Sequence, residues 1–284
     1  MMLAQFLWID STIVLVYLIA MFVMGLYFAS KNQNTDDYFL GGRNLPGWAL
    51  GLSMLSTSIS SVTFIALPAA ALAKDYRLLV PNLMFPVASI LAVLLIIPVF
   101  RRTAATTAFE YLEQRFGVSV RLYGAALFII TQLVRSAMVL YLVGIPIASL
   151  TGLPILAVII VGGLFVCAYT MGGGFNAVVW TDVAQTFVLL GGGIFMIAYV
   201  IFRVPGGLGE VLAVGWENDK FGVGPMSFNL TERTVWTMLI VGLIGFASDL
   251  VSNQTVVQRY LAAKTEREAK KATLLSAVMA IPTC

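Results

Sequence analysis

The sequence predicts an all-α polytopic membrane protein, and three observations carry that expectation. Sixty per cent of its 284 residues are apolar and 11% are charged, and mean hydropathy is +0.93. A soluble domain carries about 25% charged residues because its surface must face water. The apolar residues also run on in stretches of about 20, the length a helix needs to cross the hydrocarbon core of a bilayer. Finally, most basic residues fall in short clusters between those stretches, where they set topology. The net charge of +3 therefore implies no nucleic-acid partner, and the expected surrounding is a lipid bilayer.

Six such stretches run over 11–29, 48–73, 78–100, 123–150, 155–171 and 177–202, and a seventh, interrupted by polar residues, covers 234–257. The first lacks a basic leader, carries Asp10 beside it and shows no small-residue cleavage site, so a retained helix is expected rather than a signal peptide. The second holds Ser53, Ser56, Thr57, Ser58, Ser60, Ser61 and Thr63 in its middle between apolar ends. Hydroxyls facing all round a helix cannot serve one packing interface, although one or two of them commonly do. Closely spaced Ser and Thr bond nearby carbonyls and support a helix that unwinds locally. Such a break offers carbonyl oxygens to a cation and amide N–H groups to an anion.

After the third stretch, 107–116 predicts a short helix with Phe109, Leu112 and Phe116 on one face, a connector packed on the bundle or an interfacial element. The fourth stretch carries Arg135 near its centre. A guanidinium at that depth needs an anionic ligand, a wet cavity or a carboxylate, for which Asp249 is the candidate. The fifth and sixth are separated by Gly172-Gly173-Gly174. Asp182 lies one to two turns into the sixth, where a carboxylate can hold sodium with neighbouring oxygens or simply complement a helix start. The seventh is interrupted at Ser248-Asp249, followed by Ser252-Asn253-Gln254, and is expected either to break there as a second discontinuous helix five spans after the first or to end early at the interface. The last segment, 272–284, is too short to cross.

Lys31 and Arg43, then Arg101, Arg102, Arg115 and Arg121, then Arg259, Lys264, Arg267, Lys270 and Lys271 mark the cytoplasmic loops. That alternation puts the N-terminus outside a multi-pass protein of the plasma (inner) membrane. There is no histidine, and Cys167 and Cys284 lie far apart. His-based catalysis, His-ligated metals and a disulfide framework are thereby excluded, and no nucleophile–base arrangement points to an enzyme.

The strings Asp37-Tyr38-Phe39-Leu40-Gly41-Gly42-Arg43, Pro46-Gly47-Trp48, Ser60-Ser61-Val62-Thr63-Phe64, Phe109-Glu110-Tyr111-Leu112, Met171-Gly172-Gly173, Trp180-Thr181-Asp182 and Val257-Gln258-Arg259-Tyr260 together resemble the sodium:solute symporter family. The resemblance implies a leucine-transporter-like inverted-repeat fold in one transmembrane domain, 1–284. Its parts would be an extra first helix (11–29), a first five-helix repeat (48–202) and the start of a second repeat (234–284). It implies sodium-coupled secondary active symport of a small organic solute, with sodium as the coupling ion and no other cofactor. The Ser56 and Ile59 carbonyls would hold one sodium, and Asp182 would help to hold a second.

Within the family the chain is most similar to bacterial sialic acid symporters, in which hydroxyls matching Ser60 and Thr63 and an arginine matching Arg135 hold the solute carboxylate. An anionic solute, sialic acid or another organic acid, is therefore expected. Ser58 and Ser61 join these as candidate solute contacts from the hydroxyl cluster. Asn82 replaces a glutamine of those symporters, and Asp249 is outside their pattern; both complete the candidate set. Family members are far longer, so the chain is expected to be a piece lacking the sodium-binding hydroxyls of a later helix. The competing expectation is a symporter-like membrane sensor domain of a signalling protein.

Overall fold

The computed structural model describes residues 8–59, 62–102 and 107–283. Helix α1 (Trp8–Ala29) lies against a long helical run, α10 (Ile155–Arg203). Gly25 permits the approach, since a Cβ there would sit 2.9 Å from both Cβ and the carbonyl oxygen of Tyr169. The short α2 (Thr35–Leu40) is capped by Asn34, which accepts from the Asp37 N–H, and ends on Gly41 in the left-handed region, φ 61°.

Helix α3 (Gly47–Ser58) is the centre of the bundle, with α10 on one side and α14 (Glu266–Ala280) on the other. Leu50, Gly51, Ser53 and Leu55 are all buried within it. The helix ends at Ile59, whose φ −85° and ψ 121° are extended. A π-turn (Val62–Ala66) and α4 (Leu67–Ala73) follow, inclined by 54° to α3. The expected break in the second membrane segment is therefore present.

The next span, Tyr76–Arg102, is segmented into α5 (Leu79–Asn82), α6 (Phe85–Leu91), a π-turn (Ala92–Ile96) and α7 (Ile97–Arg102). Pro81, Pro86 and Pro98 account for the divisions, because each lacks an N–H and its ring crowds the preceding turn. Helix α8 (Ala108–Phe116) is capped by Thr107, which accepts from the Glu110 N–H at 3.0 Å. It packs on α9 (Val118–Thr151) through Phe109 and Phe128, so of the two expectations for 107–116 the packed connector holds.

The 49 residues of α10 would make a rod roughly 74 Å long, more than twice the thickness of a hydrocarbon core. They are two helices joined at Gly174, whose φ 65° and ψ −164° interrupt the run. A Cβ there would lie 2.9 Å from the Tyr38 carbonyl oxygen, so both backbone and space require glycine. Helix α11 (Gly207–Glu217) leads to α12 (Val235–Ser252) and α13 (Gln254–Ala262).

The break expected at Ser248-Asp249 is not there: α12 runs unbroken through both residues and stops at Asn253, φ −75° and ψ 112°. A serine and an aspartate are tolerated inside a packed helix. Asn253 instead ends one helix and begins the next, accepting from the Thr255 N–H at 3.0 Å.

Among the described residues, five helices are long and apolar enough to cross a membrane, and the bent pair Gly47–Ser58 and Val62–Ala73 makes a sixth. With α10 divided at Gly174, the described residues form an all-α, multi-pass bundle. One close approach gives a stability prediction. A Cβ on Gly242 of α12 would meet the Pro81 carbonyl oxygen at 2.4 Å and its Cα at 2.7 Å, while one on Gly245 meets nothing. Gly242→Ala is expected to cost about 1–3 kcal/mol, because backbone faces backbone and neither side chain can yield. Thermal unfolding in detergent checks it, with Gly245→Ala unfolding no earlier than the unaltered chain.

Candidate functional site

The site begins with the end of α3. The last carbonyls of a helix have no partner within it, and the departure of Ile59 leaves the Ser56 carbonyl in that terminal turn. Thr57 and Ser58 donate their hydroxyls back to the carbonyls of Ser53 and Met54, at 2.8 and 3.0 Å. This i−4 bonding is what the hydroxyl density implied, and it loosens a helix near its end. Ser60 and Ser61 lie outside the described residues.

Two cavities flank the break. One, of about 70 Å³, is lined by Ser58, Ile59, Thr63, Asn82, Phe85 and Phe246 among others. The other is lined by Thr57, Ser58, Phe85, Arg135, Asp249 and Arg259 among others. Ser58 and Phe85 belong to both, so Ser58, Thr63, Asn82, Arg135 and Asp249 gather around adjoining spaces. Asn82 donates to the Leu78 carbonyl at 3.2 Å. Arg135 and Asp249 also border a third, larger cavity of about 470 Å³, whose other walls include Phe100, Phe109, Tyr111 and Phe128.

The expected alternative of a direct Arg135–Asp249 ion pair is not realised among the described residues. Asp249 Oδ1 instead accepts from Asn253 Nδ2 at 2.7 Å, a bond across the turn that joins α12 to α13.

Asp182 has a different partner. It sits about two turns beyond Gly174, too deep in the second half of α10 for the helix-start role. Its Oδ2 accepts from Arg259 Nη2 at 2.8 Å and from Ser53 Oγ at 2.5 Å. Arg259 also donates from Nε to Ser53 Oγ at 2.9 Å, from Nη2 to Thr57 Oγ1 at 2.7 Å and from Nη1 to the Thr255 carbonyl at 2.5 Å. The two charged side chains are 5% and 15% exposed. Thr186, fully buried, donates to the Leu52 carbonyl at 3.0 Å and fastens α10 to α3 beside this cluster.

Arg259 is the residue that sequence patterning missed. Its position after the seventh stretch groups it with the exposed bases Lys264 and Arg267, and nothing local distinguishes a buried guanidinium from a topology determinant. The available signal was Asp182: a carboxylate at membrane depth requires a cation, and Arg259 stands in one of the strings that carried the family resemblance.

The sodium:solute symporter family model matches residues 38–283 of this chain. A sodium/sialic acid symporter of Proteus mirabilis (strain HI4320) is 32% identical over 278 residues, covering 98% of this chain and 56% of its own length. A second, from Aliivibrio fischeri, is 34% identical over 264 residues, with 92% and 52% covered. The human sodium/iodide cotransporter is 35% identical over 249 residues, with 87% and 38% covered. Among solved structures, the substrate-bound outward-open state of a Na+-coupled sialic acid symporter superposes with a TM-score of 0.92 at 32% identity, over 97% of this chain and 58% of the other. The chain thus spans about half the length of these sialic acid symporters.

Proposed function

The chain belongs to the sodium:solute symporter family, and from that premise we propose that the intact protein couples inward movement of sodium to uptake of a small anionic organic solute. The observation that supports this reading most is the break at Ile59, beside two adjoining cavities, one of which Arg135 lines. A hard cation takes oxygen ligands. The carbonyls of Ser56 and Ile59 supply them at the loosened end of α3, and Asp182 with the Ser53 hydroxyl supplies them for a second ion.

Arg135 is proposed to hold the solute carboxylate, with its planar fork matched to two oxygens. Ser58, Ser60, Ser61 and Thr63 on the broken segment, with Asn82 and Asp249 facing it, would take the hydroxyl or amide groups of the solute. The ion at the break and the solute then share one interrupted stretch of backbone, which is the physical basis for coupling. Sialic acid heads the list of solutes, because two relatives of similar sequence and the solved structure bear that substrate in their names.

In the proposed architecture, 48–202 is the first five-helix repeat, 234–284 begins the inverted second repeat, and 11–29 is an additional helix. The N-terminus lies outside the plasma membrane, following the basic loops. The intact protein in liposomes is expected to accumulate labelled sialic acid, or another organic acid, only under an inward sodium gradient. Equal accumulation under a potassium gradient would refute coupling.

A further inference from the structure

A carboxylate proposed to bind sodium is paired in this structure with a guanidinium. Asp182 and Arg259 come from helices 77 positions apart in sequence, meet at 2.8 Å, and are 15% and 5% exposed. The pair is neutral. A sodium ion added beside it would leave a net positive charge in a poorly solvated interior, which is strongly unfavourable. One cation at a time is the electrostatically tolerable state.

Arg259 is moreover mounted on a short segment bounded by extended residues. Helix α13 begins after Asn253, ψ 112°, and ends at Ala263, ψ 141°. Through Ser53, Thr57 and Asp182 the guanidinium ties that segment to α3 and α10 at once. Three of its bonds go to neutral groups, Ser53, Thr57 and the Thr255 carbonyl, which do not replace the charge of the carboxylate, so giving up Asp182 requires the guanidinium and its short segment to move away from the site.

We propose that Arg259 is a tethered cation that competes with sodium for Asp182, so that sodium arrival and the loosening of α13 from α10 are one event. Arg259 is thus a positioning residue that acts through Asp182 and sets the sodium dependence of transport. The proposal rests on the reading of Asp182 as a sodium ligand.

Binding of radiolabelled sodium to the intact purified protein tests it, with potassium as the control ion. Arg259→Gln removes the competitor and is expected to raise sodium affinity roughly tenfold or more, as loss of a coupling between two ligands does. Sodium should also raise the unfolding temperature of this variant more than that of the unaltered protein, since the ion then supplies the counter-charge that Arg259 gave Asp182. Arg259→Lys keeps a charge but loses the fork, and should shift sodium affinity in the same direction by a few-fold even if Arg259→Gln does not fold. Sodium affinity that is unchanged or lower in Arg259→Lys, or in a folded Arg259→Gln, overturns the competition and leaves Arg259 a structural residue. Sodium binding that stays intact in Asp182→Asn, with Arg259 kept, would instead overturn the ligand role of Asp182, a separate failure.

Discussion

Asp182→Ala is expected to destabilise the protein by about 3–5 kcal/mol, the usual consequence of removing one partner of a buried ion pair. The loss is not that of a salt bridge as such. It comes from the Arg259 guanidinium, 5% exposed, which would remain charged in the interior with only neutral acceptors around it. Ser53, completely buried, would lose the acceptor of its hydroxyl at the same time. Thermal or denaturant unfolding in detergent measures the effect, and an unfolding midpoint equal to that of the unaltered protein would show that no buried pair is present.

The contrast that isolates the electrostatic part is the double substitution Asp182→Leu with Arg259→Met. Replacing both members by apolar groups of similar size removes the stranded charge, and such exchanges are often neutral or stabilising. Much of the stability lost in Asp182→Ala should therefore return, while sodium dependence should not. A double-mutant cycle over the two positions is expected to give a coupling at the upper end of the range for contacting residues, about 2–3 kcal/mol. Stability and transport would separate in that variant, which distinguishes a pair retained for ion handling from one retained for folding.

Which parts of this arrangement were legible in the sequence follows from the range of the forces involved. The break after Ser58 was, because Thr57 and Ser58 bond carbonyls four residues back and so leave a local signature. The packed helix at 108–116 was, because Phe109 and Leu112 recur at helical spacing and Thr107 caps it. The break in the seventh segment was misplaced from Asn253 to Ser248-Asp249. A polar residue inside a packed helix and a polar residue that ends one differ only in backbone angles and cap bonds. Of the Asp182–Arg259–Ser53 cluster only the need of Asp182 for a cation was legible: its members are separated by 77 and 206 positions, and only packing of α3, α10 and α13 brings them together. Likewise the meeting of Asn82, Thr63 and Ser58 around one cavity depends on how the bent segment is placed relative to α5, which no periodicity encodes.

Arg135→Ala is expected to lower apparent affinity for acidic solutes by about tenfold, about 1.4 kcal/mol, because Arg135 is exposed along the cavity walls and its pairing with a solute carboxylate is only partly desolvated. Arg135 lies near the midpoint of α9 and borders both the cavity at the break and the larger one beyond it. Among the described residues no carboxylate lies within ion-pair distance of it, whereas Asp249 on the same walls is bonded to Asn253. Its charge is therefore available to a carboxylate that arrives from outside the protein. The consequence for folding is opposite to that at Asp182: no partner is stranded, so Arg135→Ala should unfold within about 0.5 kcal/mol of the unaltered protein. Arg135→Lys keeps the charge but presents a point rather than a fork, and should recover only part of the affinity. Uptake measured as a function of solute concentration, at saturating sodium, decides the matter. An unchanged half-saturation concentration for acidic solutes in Arg135→Ala would take this arginine out of the solute site, and would move the search for the carboxylate's partner to the amide groups of the segment that follows Ile59.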